Sequence, residues 1–479
     1  MPLERDEGEY AYFGQLMLQG VWPYAAAYSM KFPGIYAAFA AIEALFGQTA
    51  AAIRWGLLLV NLATGGCLFL LGRRLAGAEV GVAASAAFGV MSLSASVLGF
   101  AAHATHFVVL FAVCGLYVLQ EAIASGRPWR FAASGVLLGL AYTMKQHGAV
   151  FAAFGALWLL VSRVPRGRLI AYLAGAAAPL AVVAAAIAAA GVFPRFWFWN
   201  FVYASQYVSQ DTSLRNLGVQ LQRMAPLAGF AILAVGGSFT RPRRPVAFAA
   251  GLAAFALIAV APGFIFREHY FIQLLPAVAL LAGLAIASAG RRLGRVAAAA
   301  LLAAAAGLAV VSERAYLFVQ SPVEVCRAIY DGNPFPEAVV VGDYIREHTR
   351  PSDRVLVLGS EPEIYFYARR RGATGYIYMY GLMEDQPYAR RMQQELATET
   401  EAAKPEIVVL VGPSVSWLRS VRSVGDVFTW SRAFVGRSYE RIGVVEIGDP
   451  PRAHWGGDAA GSQPQAESSL LVFRRRPGT

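Results

Sequence analysis

The chain has 479 residues, 57% of them hydrophobic and 15% charged, with a formal net charge of +11 and a mean hydropathy of +0.48. Soluble domains carry about a quarter charged residues, so this composition excludes an ordinary soluble enzyme and points to a polytopic membrane protein. Nor does the positive charge argue for nucleic acid: thirteen arginines stand in short clusters between apolar runs, where they act as topology signals.

The first 48 residues open with "LERDEGEYAYFGQLMLQGVWPYAAAYSMKFPG" at 3–34, which holds Glu4, Asp6, Glu7 and Glu9, four of the nine Asp and Glu residues before position 313. Apolar runs then predict ten helices, near 50–72, 79–98, 107–123, 131–144, 148–162, 169–190, 225–239, 246–264, 270–289 and 296–312, several shorter than the roughly 20 residues of a perpendicular span. Between them lie Arg73 and Arg74, Arg127 and Arg130, Arg163, Arg166 and Arg168, Arg241, Arg243 and Arg244, then Arg291, Arg292 and Arg295. The positive-inside rule makes these loops cytoplasmic, so the first 48 residues and the tail after Ser312 face outwards. This arrangement predicts a first transmembrane helix upstream of Met1, since an outer segment of this size needs something to carry it across.

Charge density marks the next boundary, with 30 Lys, Arg, Asp and Glu residues in 1–312 and 41 in the 167 that follow. The tail alternates: "AVVVGDYIREHT" reads as helix, "RVLVLG" as strand, "EIYFYARR" as helix, "ATGYIYMY" as strand, "PYARRMQQELATETEAA" as helix and "EIVVLVG" as strand, with "RIGVVEI" and "SLLVF" closing the sheet around the polar loop "GDAAGSQPQAES". Strands separated by helices predict an α/β domain, and Glu361 and Glu363 follow a strand end, the usual place for ligand contacts in such sheets. The expected architecture is an outer loop with juxtamembrane helices at 1–48, a transmembrane helical domain at 49–312 and an extracytoplasmic α/β domain at 313–479. Cys67, Cys114 and Cys326 are odd in number, at no metal spacing, and are expected to pack as apolar side chains without a disulfide framework. There is no Walker loop, GxGxxG or HExxH.

Outside the arginine clusters, the ionisable residues of the membrane part gather at outer helix ends: Lys31, His103 and His106 in "AAHATHF", Lys145 and His147 in "TMKQHG", and Arg267, Glu268 and His269 in "FREHYF". A charge at a helix centre costs about 2.5–3.5 kcal/mol on insertion scales, so such a gathering implies a hydrated cavity. Single lysines and arginines also snorkel to an interface, but short acidic side chains do not reach far. Carboxylates suit a general base or a metal, and Lys31, Lys145 and Arg267 suit a phosphate. His103 and His106 are three apart and share a helix face as a potential metal pair. The aromatic and amide-rich loop from Gly191 to Met224 reads as an interfacial belt, with stacking on sugar or lining of a lipid entry as the alternative role for a share of its residues.

The opening stretch resembles the first extracytoplasmic loop of GT-C glycosyltransferases, in the protein-mannosyltransferase and aminoarabinose-transferase-like family (glycosyltransferase family 39). "RDEGEYAY" stands where that family carries an Asp-Glu pair, and "PYAAAYSMKFPG" is similar to its "PxxxxYxxKxPG" segment. "YTMKQHG" resembles its "TKG"-type segment and "REHYFIQLLPAVALLAG" its "RYxLPxxPxxxLLAG" segment.

The resemblance implies transfer of a sugar from a polyprenyl-phosphate carrier to a lipid, glycan or protein acceptor outside the cytoplasm; the large outer tail and the Ala-, Gly- and Arg-rich composition make the inner membrane of a bacterium the expected address. Asp6 would be the catalytic carboxylate and Glu7 its partner, with Lys31, Lys145 and Arg267 at the lipid phosphate. His103, His106, His147, His269 and Tyr270 would bind donor and acceptor. Where relatives carry a second acidic site this chain has "HATHF", so Asp6, His103 and His106 are the expected ligands if a divalent metal is used; no other cofactor is implied. A transporter of a lipid-linked sugar and a non-catalytic membrane scaffold are the competing readings.

Overall fold

The computed structural model describes residues 1–206, 213–462 and 465–478. Residues 207–212 of the aromatic outer loop and 463–464 of the polar loop "GDAAGSQPQAES" lie outside the described residues.

Two helices precede the membrane part, Arg5–Leu18 and Pro33–Phe46. The first starts in a capping box: Glu4 accepts the Glu7 N–H while the Glu7 carboxylate accepts the Glu4 N–H, satisfying backbone donors that the first turn leaves open. The second starts on Pro33, whose fixed φ suits a first helical position.

Each apolar run is helical, but among the described residues the ten expected spans reduce to six helices long and apolar enough to cross a membrane: Ala50–Ala76, Ala104–Ser125, Arg166–Ala189, Arg243–Val260, Glu268–Leu293 and Arg295–Ser312. A seventh arises if Arg215–Arg223 and Ala225–Ser238, bent by 54°, count as one. Hydropathy alone overran the breaks. The run read as 79–98 stops at Met91, because Ser94 caps a short turn at Ala95–Val97 and Leu98 takes φ 57°.

Small residues let these helices approach closely. A Cβ on Gly135 would lie 2.1 Å from the Tyr172 carbonyl, and one on Gly175 would lie 2.2 Å from that of Ala132, so helices Pro128–Met144 and Arg166–Ala189 meet backbone to backbone. The cysteine expectation is corrected. Cys67 and Cys114 form a disulfide between Ala50–Ala76 and Ala104–Ser125, and Cys326 alone is free and buried. Helix packing sets the two thiols opposite each other across 47 residues of sequence, a juxtaposition that spacing does not reveal.

Beyond Ser312 the chain forms a six-stranded mixed sheet: β1 Arg354–Leu358, β2 Arg371–Gly372, β3 Ile407–Val411, β4 Tyr439–Glu446, β5 Arg452–Trp455 and β6 Ser469–Arg475. The order is β2-β1-β3-β6-β4-β5, with β2, β1 and β3 parallel and the rest antiparallel. Val355, Val357 and Val409 on one side and Leu356, Leu358 and Val408 on the other are all fully buried, as expected of strands covered on both faces. "ATGYIYMY" is not the strand its alternation predicts. Ala373 still donates to the Val355 carbonyl of β1 at 2.8 Å, but Gly375 gives its carbonyl to the Tyr28 N–H at 2.8 Å, and a Cβ there would strike the Tyr28 ring, so from Gly375 the backbone leaves the sheet for the N-terminal segment.

The sheet domain is seated on the opening helix. Gly8 lies against helix Glu363–Ala368 with space for no side chain, since a Cβ would meet Glu363 at 2.5 Å. Overpacking a tight interface typically costs about 1–3 kcal/mol. Gly8→Ala is therefore expected to lower the thermal midpoint of the detergent-solubilised protein, whereas Gly167→Ala, at a position with open space, should leave it unchanged.

Candidate active site

Helix Arg5–Leu18 sorts its acidic cluster by direction. Residues three apart share a helix face, so Asp6 and Glu9 point one way and Glu7 another. Lys31 meets the first pair, with Nζ 2.5 Å from Asp6 Oδ1 and 3.2 Å from Glu9 Oε2. Glu9 also accepts from Ser29 Oγ at 2.5 Å and Tyr36 Oη at 2.9 Å. Burial opposes ionisation of Asp6, but the Lys31 ammonium outweighs it and holds this carboxyl well below the usual range. Glu4 has no such cation. Burial, reinforced by Asp6 and Glu7, pushes its carboxyl up.

Around this pair lies a cavity of about 1150 Å³ between the helical part and the sheet domain, above the roughly 300–1,000 Å³ of ordinary small-molecule sites. Of the residues singled out in the sequence, Asp6, Lys31, His103, Lys145, His147, Arg267, His269 and Tyr270 line it. His103 and His269 stack with ring centroids 4.0 Å apart. His103 Nδ1 lies 3.7 Å from Glu4 and 3.8 Å from Asp6. Burial lowers the His103 ring to about 3, so it is neutral at physiological pH. The Lys145 ammonium sits 4.1 Å over the Tyr270 ring. Burial brings it down to about 7, with Asp6 opposing and Lys31 and Arg267 adding to the depression. His147 Nδ1 is 3.3 Å from Gln273 Nε2.

Two expected site residues stand outside the cavity. Glu7 is fully buried and paired with Arg54, whose Nη2 lies 2.9 Å from its Oε2, and it accepts the Ala102 N–H at 2.6 Å. Its oxygens hold the opening helix to the bundle and face no substrate space. His106 bonds Asn61 through Nδ1 at 2.9 Å, because the helix starting at Ala104 turns it away from His103, which is that helix's N-cap. The potential metal set is thus corrected to Asp6, His103 and His269, which offer ligand atoms within 4.8 Å of one another. Among the described residues neither ring nitrogen of His103 has a hydrogen-bond partner, so these residues fit a divalent cation.

Several contributors were given no site role in the sequence. Glu4 and Glu9 line the cavity, and only helix direction separates them from Glu7. Arg54 did leave a signal, as a lone charge inside an apolar span. Arg5 binds the sheet domain: it donates to Glu361 at 3.0 Å, Asn333 at 2.9 Å and the Ser360 carbonyl, with the Tyr380 ring 4.9 Å away. Glu361 and Glu363 are therefore buried against the opening helix and lie outside the cavity.

Residues 30–188 match the family described as dolichyl-phosphate-mannose-protein mannosyltransferase. No curated protein matches the sequence. Among solved structures, ArnT from Cupriavidus metallidurans bound to undecaprenyl phosphate is similar at a TM-score of 0.60 and 16% identity, over 100% of this chain and 95% of that one. Its apo form gives 0.60 and 17%, over 99% and 94%. The apo oligosaccharyltransferase of Archaeoglobus fulgidus gives 0.50 and 12%, over 98% and 72%. The family match is confined to that segment of the 479 residues, and the likeness to the ArnT structures shows a shared fold along the whole chain.

Removing one partner of a buried ion pair typically costs about 3–5 kcal/mol. Arg54→Gln should therefore destabilise the protein more than Glu7→Gln, which leaves no unpaired buried anion; denaturation midpoints of the two variants check this order.

Proposed function

We propose that this chain transfers a sugar from a polyprenyl-phosphate carrier to an acceptor outside the cytoplasm. The observation carrying this reading is the Asp6–Lys31 pair at the floor of a cavity that also holds Lys145 and Arg267. One carboxylate and several cations within one space suit attack by a hydroxyl and departure of a phosphate. The relative bound to undecaprenyl phosphate supports a lipid-phosphate donor here. A divalent cation held by Asp6, His103 and His269 would supply positive charge beside that phosphate.

Asp6 starts as a weak base because Lys31 stabilises its charge. A donor phosphate competes for Lys31, and as the ammonium turns towards it the Asp6 carboxyl becomes more basic. Asp6 then takes the acceptor proton while Lys31, Lys145 and Arg267 stabilise the departing phosphate. Glu9 keeps a second hold on Lys31, which limits how far the ammonium swings.

Orientation follows from chain order. In this reading the arginine clusters are cytoplasmic and the cavity and residues 313–479 face outwards, in a bacterial inner membrane; in support, cavity residues of the helical part stand at helix ends that alternate with those clusters. The division into 1–48, 49–312 and 313–479 belongs to the same reading. A transporter would need polar groups at mid-membrane and on both faces, whereas this chain gathers its acids and histidines at one end.

Asp6→Asn is expected to reduce sugar transfer by about a hundredfold or more with polyprenyl-phosphate binding retained; equal transfer by the two proteins would sink the assignment of Asp6. A bound phosphate favours charged Lys145, so binding should take up a proton. Affinity should fall as pH rises above about 7, by up to about tenfold per unit. Lys145→Arg, always charged, should flatten that slope in a binding titration from about pH 6 to about pH 9.

A further inference from the structure

Part of the cavity wall has a chemistry that phosphate binding does not use. Tyr28, Trp199, Tyr203 and Tyr376 form one contiguous aromatic group, with ring centroids 5.2 Å apart for Tyr28 and Tyr376 and 5.0 Å for Trp199 and Tyr203. Every tyrosine hydroxyl in it donates to a carboxylate: Tyr28 to Glu399 at 2.7 Å, Tyr203 to Glu384 at 2.6 Å and Tyr376 to Glu395 at 2.5 Å.

The cations nearby are already matched. Arg195 lies 4.2 Å over the Tyr28 ring and 3.7 Å from Glu399, and Arg391 lies 2.9 Å from Glu395. Among the described residues of this wall three carboxylates face two arginines that are already paired, so an anionic acceptor would find no spare positive charge. A neutral molecule with apolar C–H faces and hydroxyls would lie on the rings and bond to the acids around them.

The aromatic surface also continues out of the reaction cavity. Trp199 and Tyr376 form a wall of a second cleft of about 240 Å³, whose lining also includes Phe198, Tyr388, Arg195, Arg391 and Glu395. An acceptor of several rings would need such an extension, and a single small headgroup would not.

Resting on the transferase reading above, we infer that the acceptor is an uncharged carbohydrate of more than one sugar unit, seated on this aromatic wall and in the adjoining cleft. Its free hydroxyl oxygen bonds the donor's anomeric carbon and its proton passes to the Asp6 carboxylate. The bond from that carbon to the phosphate oxygen breaks, and the electron pair leaves with the polyprenyl phosphate.

The test uses the full chain in lipid nanodiscs and measures three ligands separately: polyprenyl phosphate, neutral mono- to trisaccharides of glucose, galactose and mannose, and glucosamine 1-phosphate as the anionic probe. The best neutral trisaccharide should bind about tenfold tighter than glucosamine 1-phosphate. Tyr388→Ala should weaken trisaccharide binding about fivefold and leave polyprenyl phosphate unchanged, while Tyr388→Phe retains both. Tighter binding of the anionic probe, no binding of any neutral sugar, or indifference to Tyr388→Ala in a protein that still melts like wild type would overturn the inference. Failure of wild type to bind polyprenyl phosphate would overturn the transferase reading instead, and the sugar titrations would still decide the nature of the cleft.

Discussion

Of the four carboxylates within six residues, those that stay ionised in the protein interior must be met by cations, because an unpaired buried charge costs several kcal/mol; Glu4, which has none, is pushed up instead. Helix Arg5–Leu18 answers this by dividing its charges among three distant parts of the chain. Glu7 takes Arg54 from the first long apolar helix, Asp6 and Glu9 share Lys31, and Arg5 takes Glu361 from the sheet domain. The opening helix is consequently the joint at which membrane bundle, N-terminal segment and sheet domain meet. The cavity lies at that joint.

The charges differ in what they are free to do. Glu7 is tied by Arg54 and a backbone amide, and Arg5 by three oxygen acceptors and aromatic rings; moving either would strand a buried charge. Lys31 keeps about a sixth of its side chain exposed, at 17%, and Lys145 faces a ring in place of a carboxylate. Those are the cations an incoming phosphate can recruit at low cost. One acid of the "RDEGE" stretch therefore works as an anchor while its neighbour remains accessible.

The sheet domain contributes part of the cavity wall itself. "GYIYMYG" escapes the sheet because Gly375 is bonded to the N-terminal segment, and Tyr376, Tyr378 and Tyr380 line the cavity as a result. Tyr378 and Tyr380 also flank Arg5, so the clamp holding the two parts together and the aromatic wall of the cavity are built from the same short run.

Much of this was legible in the residues. Apolar runs located the helices, since burial in lipid demands apolar side chains whatever the fold. Valine and leucine runs located β1 and β3, and the motif order around Asp6, Lys31, Lys145 and Arg267 located the cavity. Span count was not legible, because hydropathy does not register a serine cap or a left-handed leucine inside an apolar run. Neither was the division of labour among Glu4, Asp6, Glu7 and Glu9, the pairing of Cys67 with Cys114, the replacement of His106 by His269 beside His103, or the aromatic wall of Tyr28, Trp199 and Tyr376. Composition and periodicity report what each segment must do with its own side chains. Which charge neutralises which, and which rings face one space, depends on contacts between segments hundreds of residues apart, and only the tertiary structure brings those together.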